Sequence, residues 1–159
     1  MFSIELVAVG RLSQDFLLDG MREYQKRIKP FYNLVITELP EQRLHGVHAG
    51  DEKRVVETEG KRILSVLERK KEPVAALAVE GRQMKSEQLA LWLDEAKQNC
   101  RGCVFVIGGS LGLSDAVKKR ADMLLSLSAM TFPHQLARLI LLEQLYRAAN
   151  IQSGGSYHK

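Results

Sequence analysis

Two short turns and a polar tail hold the residue types that can do chemistry in this chain. Gly108-Gly-Ser-Leu-Gly112 follows the apolar run Val104 to Ile107 and precedes a short helical stretch. Glycines in that setting accept positive φ and let a ligand approach the backbone closely, as phosphate and nucleotide loops require. No Gly-Lys-Ser/Thr follows, so the turn is not a P-loop, and its glycine spacing departs from the dinucleotide fingerprint. The second turn, Ser128 to His134, leaves the run Met123 to Leu127 and enters a long helix. It is free of charged side chains from Ser128 to Phe132, which suits an apolar, adenine-sized group better than a phosphate. Pro133 suits the first helical turn, where free N–H groups attract polar ligand atoms, and His134 stands beside it. The chain closes on Gly154-Gly-Ser-Tyr157-His158-Lys159, a phenol and a titratable imidazole on a glycine hinge.

Cys100 and Cys103 have the spacing of a redox pair or half a zinc site, and His45 and His48 are the imidazoles that would complete the latter. The second cysteine opens a strand where redox motifs open a helix, and the histidines lie far away in sequence. Neither a metal nor a thiol function is therefore expected. Arg138 and Arg147, on the last helix, are candidates for an anionic partner.

The elements that must position these groups alternate. Strands are expected over Ile4 to Val9, Leu34 to Leu39, Val74 to Val79, Cys103 to Ile107 and Met123 to Leu127. Helices are expected over about 15–29, 52–69, 86–99, 116–121 and 133–151, with 41–51 a mobile loop. Strands alternating with helices make an α/β fold with a parallel sheet covered on both faces, and 159 residues make one domain. Ligand loops in such sheets gather where strands end, so the two turns are expected to share a pocket. No apolar run is long enough for a membrane span, and the N-terminus lacks the basic flank of a signal peptide, so the cytoplasm is the expected compartment. The net charge of +4 is compatible with nucleic acid but does not demand it; Arg22 to Lys29, Lys61 to Lys71 and Lys118 to Arg120 also read as solvated helix faces.

The ordered set of motifs resembles the SPOUT methyltransferase superfamily, and within it the bacterial ribosomal large-subunit pseudouridine N3-methyltransferases. It comprises Leu6 to Gly10, Glu23-Tyr24 with Lys26-Arg27, Glu59-Gly60, Val106 to Gly109 with Gly112-Leu113, and Leu125 to Ser128. Met130 to His134, Glu143 to Ala148 and Tyr157-His158 complete it. The resemblance implies a single SPOUT domain over 1–159, an α/β parallel-sheet fold with a C-terminal deep trefoil knot, and a homodimer whose sites are completed by the partner's C-terminal region. It implies S-adenosylmethionine as cofactor, held by Leu77, Gly108 and Gly109, and by Leu127, Ser128, Ala129, Met130, Thr131, Phe132 and Pro133. The implied reaction methylates N3 of a pseudouridine in 23S ribosomal RNA of the assembled ribosome, with no metal and no membrane.

The N3 proton must leave before that nitrogen becomes nucleophilic, a task for a base of suitable pKa. His158 is the expected base, with Tyr157 stacking on or hydrogen-bonding the target, His134 orienting it or sharing the proton, and Arg138 stabilising the anion or holding a phosphate. Rival readings are a SPOUT enzyme acting on tRNA and a non-catalytic ribosome- or RNA-binding factor.

Overall fold

A computed structural model describes residues 1–159, the side chain of Ala49 excepted. Five parallel strands, β1 (Ser3–Val9), β2 (Asn33–Leu39), β3 (Val74–Gln83), β4 (Gly102–Ile107) and β5 (Met123–Ser126), lie in the order β2-β1-β4-β3-β5. The helices are α1 (Asp15–Ile28), α2 (Ala49–Leu67), α3 (Ser86–Asn99), α4 (Asp115–Arg120) and α5 (His134–Gln152).

The central strands are apolar on both faces because both faces are covered. On β1, Ile4, Leu6 and Ala8 enter one core while Val7 and Val9 enter the other; on β4, Cys103, Phe105 and Ile107 oppose Val104 and Val106 in the same way. The first core packs under α1, α3 and α5 through Met21, Leu93, Leu141 and Leu145. The second packs under α2 and α4 through Ile63, Leu67 and Val117. The chain thus forms three layers, as its alternating pattern predicts.

Two expectations are corrected. α2 starts at Ala49, so the segment after β2 is shorter than 41–51, and Asp51 of its first turn lies 3.4 Å from the His48 N–H. β3 does not stop at Val79: Leu77 and Arg82 both pair with Leu125, so the residues between them leave the ladder before Arg82 and Gln83 rejoin β5. That excursion holds the charged Glu80, and no strand periodicity crosses a bulge of this size. Smaller differences of one or two residues occur at the remaining element ends.

Candidate functional site

At the C-terminal edge of the sheet lies a cavity of about 630 Å³. Three backbone features enclose it: the excursion of β3 from Leu77 to Glu80, the turn after β4, and the turn from β5 into α5. The volume is that of an ordinary small-molecule site.

The turn after β4 is built from backbone alone. Gly112 takes φ +84° and its N–H donates to the Gly109 carbonyl at 3.0 Å. A Cβ on Gly108 would stand 2.9 Å from the Gly112 carbonyl group, so only glycine lets the turn close this tightly. Hydroxyls shape the second turn. Ser126 Oγ donates to the Ser128 carbonyl at 3.0 Å, and Ser128 Oγ accepts the Met130 N–H at 3.0 Å. At the rim, Lys118 Nζ on α4 meets Glu80 Oε1 at 2.5 Å, pinning the β3 excursion to α4.

Leu77, Gly108, Gly109, Leu127, Ser128, Met130, Thr131, Phe132 and Pro133 all line this cavity. Ala129 is in the same turn but is exposed and forms no part of the wall. His134 joins the wall at the N-terminus of α5. Its Nε2 is buried without a hydrogen-bond partner, and burial pushes its pKa down, with Arg138 adding to the effect and Glu41 opposing it. A buried polar atom of this kind is a place for a ligand's polar group.

Arg138 is placed differently from the sequence expectation. It is 1% exposed and does not line the cavity. Nη1 pairs with Glu38 Oε2 at 2.7 Å, while Nη2 donates to the carbonyls of Val9 at 3.0 Å and Gly10 at 2.6 Å. Its fork ties α5 to the ends of β1 and β2 and is not free for a phosphate.

Tyr157 and His158 also lie away from the cavity of their own chain. The Tyr157 ring packs on Tyr146 at 4.8 Å and under the Arg147 guanidinium at 4.7 Å, and its hydroxyl donates to Glu143 at 3.1 Å. Hydrogen bonding with Tyr24, then burial and Glu143, pushes its phenol up to about 12. His158 stands 3.3 Å from Arg147. Arg147 is thirteen residues past His134 on α5, and so about 20 Å along the helix from the cavity wall.

Cys100 and Cys103 are both free thiols, and burial pushes Cys103 up to about 12, which leaves it a poor nucleophile. Among the described residues no group of three or more His, Cys, Asp or Glu side chains gathers as metal ligands would. Sequence reasoning placed Ser110 in the glycine turn but did not assign Val79, Glu80 or Lys118 to the wall, or Glu59 a place behind it. In the sequence Glu59 stood out only through the motif Glu59-Gly60, which assigned it no role.

Such a sheet, with a backbone-walled cavity at the ends of its strands, is that of an α/β protein that binds a small organic ligand at its sheet edge. The family described as "Predicted SPOUT methyltransferase" matches residues 2–158, and the chain belongs to the SPOUT methyltransferase family. It is 44% identical over 158 residues to a protein of Streptococcus thermophilus named ribosomal RNA large subunit methyltransferase H, covering 98% of this chain and 99% of that one. The fold is similar to that of a probable methylase family protein from Haemophilus influenzae, with a TM-score of 0.58 at 10% identity over 99% of this chain and 71% of that one. It is also similar to a Legionella pneumophila protein described as a putative methyltransferase with bound cofactor SAM. There the TM-score is 0.52 at 12% identity, over 92% of this chain and 66% of that one.

Proposed function

We propose that the protein transfers a methyl group from S-adenosylmethionine to N3 of a pseudouridine in 23S ribosomal RNA of the assembled ribosome. In this reading it works in the cytoplasm as a homodimer of single SPOUT domains, 1–159, each with a deep trefoil knot in its C-terminal half. The observation that carries the substrate is the end-to-end likeness to a relative named for large-subunit ribosomal RNA methylation, with neither chain extending far beyond the other.

The cavity fits the cofactor. Its walls are mostly apolar and backbone, from Leu77, Gly108 and Gly109 and from the turn Leu127 to Pro133, as an adenine and a thioether chain require, and the unpartnered His134 Nε2 offers a polar contact. Ala129 would serve only by shaping that turn. When bound, S-adenosylmethionine supplies a methyl group already activated on a sulfonium, so the protein's task is to ready the nucleophile and align it.

His158 takes the N3 proton onto its imidazole and leaves the lone pair on N3, a contribution of about 10²–10⁴-fold. Tyr157 stacks on the target base, and His134 orients it at the mouth of α5. Arg138 acts indirectly, by fixing the first turns of α5 against β1 and β2. The separation of these groups supports the homodimer reading. With the tail folded beside Glu87 and Arg147 of its own chain, the tail of a second copy is what brings Tyr157 and His158 to this cavity. Leu136 and Ile140, half-buried on α5, and the exposed Phe16 on α1 offer apolar surface for that pairing.

The test is transfer of isotope-labelled methyl from S-adenosylmethionine to ribosomes lacking this modification, with free large subunits and bulk tRNA alongside. Label at a single large-subunit pseudouridine is the expected result. Label in tRNA would replace the substrate, and label nowhere would overturn the activity.

A further inference from the structure

Glu59 lies on α2, is 2% exposed, and does not line the cavity. Its two oxygens face two different pieces of chain. Oε2 accepts the Gln42 N–H at 2.9 Å. Oε1 lies 2.9 Å from the position a Cβ on Gly109 would take, and finds no hydrogen-bond partner in the chain. Gly109 belongs to the cavity wall, so Glu59 stands directly behind the turn.

Four further contacts tie the same region together. Arg62, one turn along α2, donates to the Pro40 carbonyl and to Gln42 Oε1, both at 2.8 Å. Between those two anchors, Glu41 Oε2 comes within 3.7 Å of the Cβ position of Gly10, and His134 Nε2 reaches the same point at 3.7 Å. Residues 40–42 are therefore clasped by α2 on one side and abut the His134 corner of the cavity on the other.

A merely structural acid buried this deeply would have both oxygens satisfied, because an unpaired buried oxygen is costly and an apolar side chain of the same length would avoid it. A catalytic acid would line the cavity. Glu59 does neither. We propose that Glu59 is a positioning residue, holding the glycine turn 108–112 and the strand-exit segment 40–42 in one fixed relation. It thereby sets the cofactor wall and the Glu41–His134 corner together. The proposal rests on the cavity being the cofactor site.

The test uses S-adenosylhomocysteine, which binds without reacting. Its affinity is measured by calorimetry, and backbone hydrogen exchange is followed at 40–42 and 108–112, with and without ligand, in wild type and variants. Glu59→Gln keeps the length and an acceptor oxygen; it should bind within about threefold of wild type and keep ligand-linked protection at Gln42. Glu59→Met keeps the length without an acceptor. It should bind about tenfold more weakly, the scale of one lost charged hydrogen bond, and lose the linked protection while its melting curve stays cooperative.

Should Glu59→Met fail to fold, Arg62→Met takes its place, since Arg62 is only half-buried and its loss releases 40–42 from the same helix. It should lose the linkage at Gln42 in the same way. Wild-type affinity and intact linkage in the Met variant that folds would overturn the proposal and leave the cofactor reading standing. Ligand binding to wild type with no linked protection at Gln42 would do the same. No binding to wild type at all would overturn both.

Discussion

His158 Nε2 lies 2.9 Å from Glu87 Oε1, so the terminal imidazole rests on α3 of its own chain. The hydrogen bond draws the Glu87 carboxyl below its ordinary value, and Arg147 holds the other ring nitrogen. The tail docks on α3 and α5, and its imidazole is about 20 Å along α5 from the cavity wall at His134.

If a second copy supplies the tail, two inactive variants should repair each other. His158→Ala removes the proposed base, and Gly108→Val blocks the glycine turn. Each alone should be inactive toward ribosomes. Refolded together in equal amounts they should regain roughly a quarter of wild-type activity, the statistical share of sites with both intact parts. No recovery on mixing would place the tail and the cavity of each site on one chain.

Gly108→Ala should act on the cofactor wall first. Its added methyl meets the Gly112 carbonyl group at 2.9 Å, so the turn must open. A cost of about 1–3 kcal/mol is expected for such overpacking. Calorimetric affinity for S-adenosylhomocysteine should fall by about tenfold or more, with a matching fall in melting temperature.

Arg138→Met should weaken the fold itself. It leaves the Val9 and Gly10 carbonyls without their donor and Glu38 without its partner, a loss of about 2–4 kcal/mol in urea unfolding. Arg138→Lys should not restore it, because an ammonium cannot span the same fork. Unchanged stability with reduced turnover would instead put Arg138 at the substrate.

His134 and Glu59 should give stability opposite pH dependences. His134 titrates below its ordinary 6.5 when folded, so its contribution is present above 6.5 and is lost as pH falls through the lowered folded value. Glu59, raised chiefly by burial, titrates above its ordinary 4.5; its contribution is present below 4.5 and is lost as pH rises through the raised folded value. Melting curves from pH 4 to 7 should show His134→Asn relieving the acid-side loss. Glu59→Gln should gain most over wild type at pH 7. Parallel curves for all three proteins would contradict both assignments.

The sequence by itself determined the alternation of strands and helices, the burial of β1 and β4 on both faces, and the two turns that wall the cavity. These are local matters. Runs such as Val104 to Ile107 specify a doubly covered strand by composition, and Gly108 to Gly112 specifies a tight turn because only glycines fit it. Tertiary structure decided what depends on residues far apart in the chain. The return of β3 to β5 after its excursion needs the Leu125 backbone opposite, which no periodicity of β3 reveals. The burial of Arg138 needs the ends of two strands, 128–129 and 100 positions away, and a guanidinium on a helix looks the same in sequence whether it meets water, phosphate or carbonyls. Glu59 stands behind Gly109 only because α2 crosses the sheet there, and the tail docks on α3 and α5 only because those helices share a face. Side-chain type and spacing name the groups that can act, while which of them meet is set by how the layers pack.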